Sequence, residues 1–171
     1  MIEISSKEYM VNYGLFSGTT LISFSLMLFF LDAHYEQDTF VQITNTLIQF
    51  AGITLGCLAF KKANDSKITA AEVRKIGTGI SLVIALLGIS YTAILTNVME
   101  PDYMDKVLEI SYNQTMEDYP EALQGMDLNT FIENFKPFTF LTYPVILIFT
   151  LLFGFIYSVV LGLFIKTKKQ L

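Results

Sequence analysis

In 171 residues, 53% hydrophobic and with a mean hydropathy of +0.51, the chain has room for one domain and is more apolar than soluble proteins of that size. The net charge of −5 misleads as a global property because charge is segregated by loop, and a lone cysteine, Cys57, excludes a disulfide framework. More telling is where charge is missing: no Asp, Glu, Lys or Arg occurs in Tyr9–Leu31, Thr39–Phe60, Ile76–Met99 or Pro137–Ile165. A hydrocarbon core about 30 Å thick takes roughly 20 helical residues to cross, and each stretch is long enough.

We therefore read an all-α fold, a four-transmembrane-helix bundle forming a single integral membrane domain over residues 1–171, with spans at about 9–31, 39–60, 76–99 and 138–165. Two short amphipathic helices are expected in the outer loop, 100–137, between spans three and four. The remaining charge is sorted by connection. Lys61, Lys62, Lys67, Arg74 and Lys75 crowd the link between spans two and three, Lys166, Lys168 and Lys169 follow span four, and Lys7 precedes span one. The loop Asp32–Asp38 has no Lys or Arg, and the long loop has only Lys106 and Lys136. The positive-inside bias puts both termini and the middle link in the cytoplasm. Anionic headgroups are the default partner for the basic link, with a cytoplasmic protein as the alternative. The leader before span one carries Glu3 and Glu8 against a single Lys, and no small-x-small site follows, so span one reads as a retained helix.

Taken in order, span one carries Gly14 and Gly18 four residues apart, on one face, where another backbone can approach closely. In the loop after it, Asp32, His34, Glu36 and Asp38 are carboxylates and an imidazole of the kind a metal takes. Their spacing matches no ligand pattern, and polar residues are expected at a membrane exit, so a solvated loop is the better reading. Span two is the most polar. Gln42, Asn45, Gln49, Gly52 and Gly56 follow steps of three and four and share a face. An amide turned to lipid is costly, so this stripe faces protein or a wet cavity. It is either interhelical glue or a polar path for a solute or a lipid headgroup. No carboxylate or basic residue lies mid-span, which leaves an ion-coupled transporter without its usual groups.

Span three opens with Gly77 and Gly79, keeps Ser81, Ala85, Gly88 and Thr92 small, and suits the centre of the bundle. Glu100, Pro101, Asp102 and Tyr103 end it. Pro101 cannot continue the hydrogen-bond ladder and biases Glu100 to extended backbone. Asp102 then stands where a carboxylate can cap the next helix. In that helix Met104, Val107, Leu108, Tyr112 and Met116 fall on one side, and Asp105, Lys106, Glu109, Asn113 and Glu117 on the other. From about Asp127, Leu128, Phe131, Ile132 and Phe135 repeat at helical spacing. Both helices suit a membrane interface or a protein surface. Span four has Gly154, Ser158 and Gly162 at spacing four, Phe138, Phe140 and Tyr143 for an interfacial belt, and Pro144 placed for a kink.

Asn12-Tyr13-Gly14 entering span one, Gly77-x-Gly79, Tyr91, and the Pro101-Asp102-Tyr103 corner before an acidic helix together carry a resemblance. The chain resembles a family of small four-helix membrane proteins from Bacteroidota, domain of unknown function number 4199. It departs at Ile68-Thr69-Ala70-Ala71, where members often have an aromatic-Gly element. The resemblance implies an inner-membrane location and, weakly, envelope or lipid-linked-sugar work.

No nucleophile–base pair, phosphate loop, metal cluster or basic nucleic-acid surface is legible, so neither an enzyme nor a cofactor is expected. The carboxylates Asp102, Asp105 and Glu109 share a face but read better as solvated charge than as an acid–base set. The expected role is a non-catalytic accessory or scaffold subunit of an envelope complex, meeting membrane lipid and either another membrane or envelope protein or its own copies. Glu100–Tyr103 is its candidate binding corner. The alternative is a small carrier or flippase-like protein for a lipid or lipid-linked sugar, working along Gln42, Asn45 and Gln49.

Overall fold

The computed structural model of the chain describes residues 5–35 and 39–167. Within them all regular structure is helical: α1 (Ser6–Phe30), α2 (Thr39–Ala63), α3 (Ala70–Ile94), α4 (Tyr103–Asp118), α5 (Leu128–Phe135) and α6 (Thr142–Ile165). A π-helical turn, Leu95–Met99, prolongs α3, and 3₁₀ segments Pro120–Leu123 and Lys136–Leu141 bracket α5. Four stretches are long and apolar enough to cross a membrane: Ser6–Phe30, Thr39–Ala63, Ala70–Met99 and Leu128–Ile165. The protein is an all-helical, multi-pass membrane protein.

The helix ends do not coincide with the charge-free stretches, because hydrogen bonding, not hydropathy, sets a helix end. Span three was expected to open near Gly77, yet α3 starts at Ala70, seven residues earlier. Thr69 and Glu72 form a capping box there. The Thr69 amide and hydroxyl both donate to Glu72 Oε2 at 2.7 Å, and the Glu72 amide donates back to Thr69 Oγ1 at 3.2 Å. Span four was expected to be helical from about 138, but Lys136–Leu141 is 3₁₀ and α6 begins at Thr142. Pro144 then lies in the first turn of α6, where its missing amide removes no bond of that helix.

The chain divides into two compact units. The first holds the described residues up to Ile89 and from Ile146 onward; the second is Ser90–Val145. In the first unit Ile53, Cys57, Phe60, Ile68, Val73, Ile76, Ile80, Ile84 and Leu161 make the core. The residues buried on α1 are all small, Gly14, Ser17 and Gly18, while Phe16 is 64% exposed. On α6, Gly154, Ser158 and Gly162 are buried and Phe164 is 80% exposed. Lipid tails solvate large apolar side chains as well as protein does, so close backbone packing decides which side turns inward.

The charged ends of this unit are tied together. Asn64–Lys67 makes a tight turn with Asp65 and Ser66 in left-handed backbone, φ 48° and 61°. Asn64 accepts from the Lys67 amide and its side-chain amide donates to the Lys67 carbonyl. Beyond the turn, the Ile68 amide donates to Thr167 Oγ1 at 2.9 Å, and the Thr167 amide returns to the Ile68 carbonyl at 2.8 Å. Lys61 Nζ donates to the Ile165 carbonyl at 2.8 Å, a cation at the negative end of α6.

In the second unit Glu100 is extended, φ −146° and ψ 82°, and its amide donates back to the Leu95 carbonyl. α4 and α5 meet through Tyr112, whose ring lies 5.5 Å from that of Phe131 and whose hydroxyl donates to the Met126 carbonyl at 3.0 Å. Leu123, in the 3₁₀ segment between them, is buried.

Candidate functional site

The polar face of α2 lies in the first unit, and its lower part is filled by neighbours. A methyl group on Gly52 would collide with Ser17 of α1, and one on Gly56 would come within 2.6 Å of Ile80 Cδ1 and 3.2 Å of Tyr13 Cβ. Gln49 Nε2 donates to Ser81 Oγ of α3 at 3.2 Å and to the Thr150 carbonyl of α6 at 3.0 Å. One amide thus ties three helices. Higher up, Asn45 Oδ1 is buried with no hydrogen-bond partner among the described residues. Gln42 is exposed on an open groove of about 320 Å³, lined also by Thr39, Ile43, Thr46, Leu47 and Phe50.

The α3–α6 seam is self-complementary. Ser158 of α6 fills the notch at Gly77 of α3, and Ser81 of α3 fills the notch at Gly154 of α6. Each serine donates to the carbonyl of the glycine four residues before it on its own helix, Ser81 to Gly77 at 3.0 Å and Ser158 to Gly154 at 2.5 Å. That bond satisfies the hydroxyl inside an apolar core and turns it along the helix, leaving the serine compact enough for the opposite notch. Both serines and Ser17 are no more than 1% exposed. The remaining glycines of the small-residue faces are buried too. Gly14 and Gly18 of α1 sit under Val83 and Leu87 of α3, and Gly162 of α6 faces Ala70 and Val73. Ser17 was not singled out from the sequence, and Ser81 was read only as one of the small residues of span three. The signal that could have paired Ser81 with Ser158 is a glycine and a serine four apart on both α3 and α6. A further α2–α6 tie joins Thr54 Oγ1 and the Tyr157 hydroxyl at 2.8 Å, with the Tyr157 ring stacked 3.9 Å from Phe50.

The corner lies in the second unit, and its four residues divide. Glu100 turns inward, its side chain 17% exposed, and takes an ion pair from Lys106 Nζ at 2.6 Å. Tyr103 is half-buried; burial first, then the negative charge of Glu100, pushes its hydroxyl above the usual tyrosine range. Pro101 and Asp102 stand exposed. Asp102 is the residue before α4, but its side chain makes no capping bond. With φ −86° and ψ 3° it lacks the extended backbone that aims a cap at the free amides. The carboxylate that does cap is Asp127, which accepts from the Thr130 amide at 2.8 Å, a bond that holds it below the usual carboxylate range.

One further expectation changes here. Asp105 does not point to solvent with Lys106 and Glu109. It is half-buried, with Oδ2 paired to Lys136 Nζ at 2.7 Å. Met116, on the apolar side of α4, is 47% exposed. Asp102, Asp105 and Glu109 therefore do not present one carboxylate face. In the first loop the His34 ring packs between Phe29 and Tyr35, 4.9 and 4.1 Å away. Glu36 and Asp38, like Glu3, Lys168 and Lys169, lie outside the described residues. Among the described residues no three His, Cys, Asp or Glu side chains gather as a metal site.

Among known protein families, a model described as a protein of unknown function (DUF4199) matches residues 12–167. No curated protein and no solved structure matches the chain.

Proposed function

The chain belongs to the DUF4199 family, and from its construction we propose a non-catalytic accessory or scaffold subunit of an envelope complex. In this reading it sits in the inner membrane with both termini cytoplasmic, and α4 and α5 are amphipathic helices on the outer face. The observation that carries the reading is how the polar side chains are engaged. Ser17, Ser81, Ser158 and Gln49 serve contacts between helices, and Glu100 and Asp105 take Lys106 and Lys136. The second unit meanwhile exposes aromatic rings: Tyr119 at 64%, Phe138 at 57% and Phe140 at 60%. Rings of this kind anchor a membrane interface or a partner. The orientation is supported by Lys61, Lys62, Lys67, Arg74 and Lys75 between α2 and α3. Purification of the tagged chain in mild detergent, followed by mass spectrometry, should return one partner in stoichiometric amount. A clean monomer or homo-oligomer sinks the reading.

One observation favours a carrier instead, the unpartnered Asn45 Oδ1 beside the groove at Gln42 and Thr46. A carrier requires that Asn45→Leu abolish transport of a lipid or lipid-linked sugar in reconstituted vesicles while the protein stays folded.

A further inference from the structure

We infer that Lys67, Arg74 and Lys166 form a seat for the headgroup of one anionic phospholipid, at the end of the first unit where the α2–α3 link meets the end of α6. The clasp between Ile68 and Thr167 brings this about. Its two reciprocal bonds, at 2.9 and 2.8 Å, and a third from Thr167 Oγ1 to the Ser66 carbonyl at 3.3 Å, hold the two segments together. Lys67 and Lys166 are the residues immediately before the clasped pair, so both cations are held within one residue of it. Arg74 lies one turn beyond Ala70, on the side of α3 that meets Gly162 of α6, and Lys166 lies one turn beyond Gly162. Helical side chains lean toward their N-terminus, so Arg74 reaches back toward the clasp.

All three cations are exposed. Among the described residues, the acidic groups beside them in the chain are Asp65, exposed in the turn, and Glu72, whose Oε2 already accepts two bonds from Thr69. The cations therefore outnumber the carboxylate left to oppose them. They stand at the end of membrane-crossing helices, the level of lipid phosphates, where each Lys or Arg adds attraction for an anionic headgroup. A guanidinium supplies a two-pronged phosphate contact and the lysines point charges.

The test uses the full chain in detergent, with bound lipid counted by native mass spectrometry against added phosphatidylglycerol or phosphatidylcholine. Phosphatidylglycerol should be retained in preference. Lys67→Gln, Arg74→Gln and Lys166→Gln should each weaken it about fivefold, while Lys7→Gln, the same charge change on α1, should not. Thr167→Val should weaken binding with no change of charge, and Thr167→Ser should restore it. The seat is overturned if Lys7→Gln costs as much as Lys67→Gln, if Thr167→Val binds like the wild type, or if equimolar inorganic phosphate displaces the lipid.

Discussion

Gly77→Ala is the sharpest test of the α3–α6 seam. The added methyl carbon would stand 2.9 Å from Ser158 Cβ and 3.0 Å from Ile53 Cγ2, and closer still to Ser158 Oγ. Comfortable carbon contacts are about 3.5–4.0 Å, so the helices must part by the better part of an ångström. A Cβ has no rotamer to escape into, and the Ser158 hydroxyl is held by the Gly154 carbonyl. Such overpacking costs about 1–3 kcal/mol, against a gain of about 1 kcal/mol for replacing glycine inside a helix. With contacts this short the cost lies in the upper half of that range, about 2–3 kcal/mol, leaving a net loss of about 1–2 kcal/mol, or a factor of roughly 5–30 in the opening equilibrium. Cys57, the only cysteine and 0% exposed, reports that opening through its rate of maleimide modification in micelles. The rate should rise by the same factor. The double variant Gly77→Ala/Ser158→Gly moves the methyl across the seam and should recover at least about 1 kcal/mol relative to additivity. Unchanged Cys57 modification in Gly77→Ala, or strictly additive behaviour of the pair, would refute the reasoning.

Gln49→Leu removes the donor to both Ser81 and Thr150 and should destabilise by about 1–2 kcal/mol in the same assay. Asn45→Leu, which removes an unpartnered acceptor, should not, and an equal loss from both would contradict the assignment. At Asp127 the Thr130 amide depresses the carboxyl pKa, so the cap's contribution to α5 is complete above the ordinary carboxylate pKa and is lost as pH falls through the depressed one. Hydrogen-exchange protection at Leu128–Phe135, taken against the intrinsic exchange rate at each pH, should fall on acidification in the wild type, while Asp127→Asn should remove that pH dependence. In a Cys57→Ala background, a membrane-impermeant reagent applied from outside should label Asn113→Cys and spare Asp65→Cys; the reverse pattern would invert the proposed topology.

Much of this architecture was legible from charge alone, because a Lys or Glu inside hydrocarbon is too costly to leave uncompensated. Each of the four gaps between charges overlaps one of the four long helices, although the third helix begins six residues before its gap. The glycine spacings likewise pick out faces that are buried. What charge does not report is where hydrogen bonds end a helix. The start of α3 at Ala70 depends on Thr69 and Glu72 bonding each other, a pattern present in the chain but hidden among basic residues. The corner shows the reverse failure. Asp102 has the residue type and position of a cap, but its backbone angles carry the carboxylate elsewhere.

The amino-acid sequence by itself determined that this is an all-helical membrane protein, and which faces of its helices are small or polar, since burial in lipid is a property of residue type summed along a helix. Only the tertiary structure decided which faces meet. Ser81 and Ser158 become a matched pair because α3 and α6 run antiparallel at one register, so that each serine falls opposite the other's glycine. Gln49 becomes a tie because that register also puts Ser81 and the Thr150 carbonyl within reach. Thr167 clasps Ile68 across 99 residues of chain. Pairings of this kind depend on the relative height of two helices, which no local property of either one specifies.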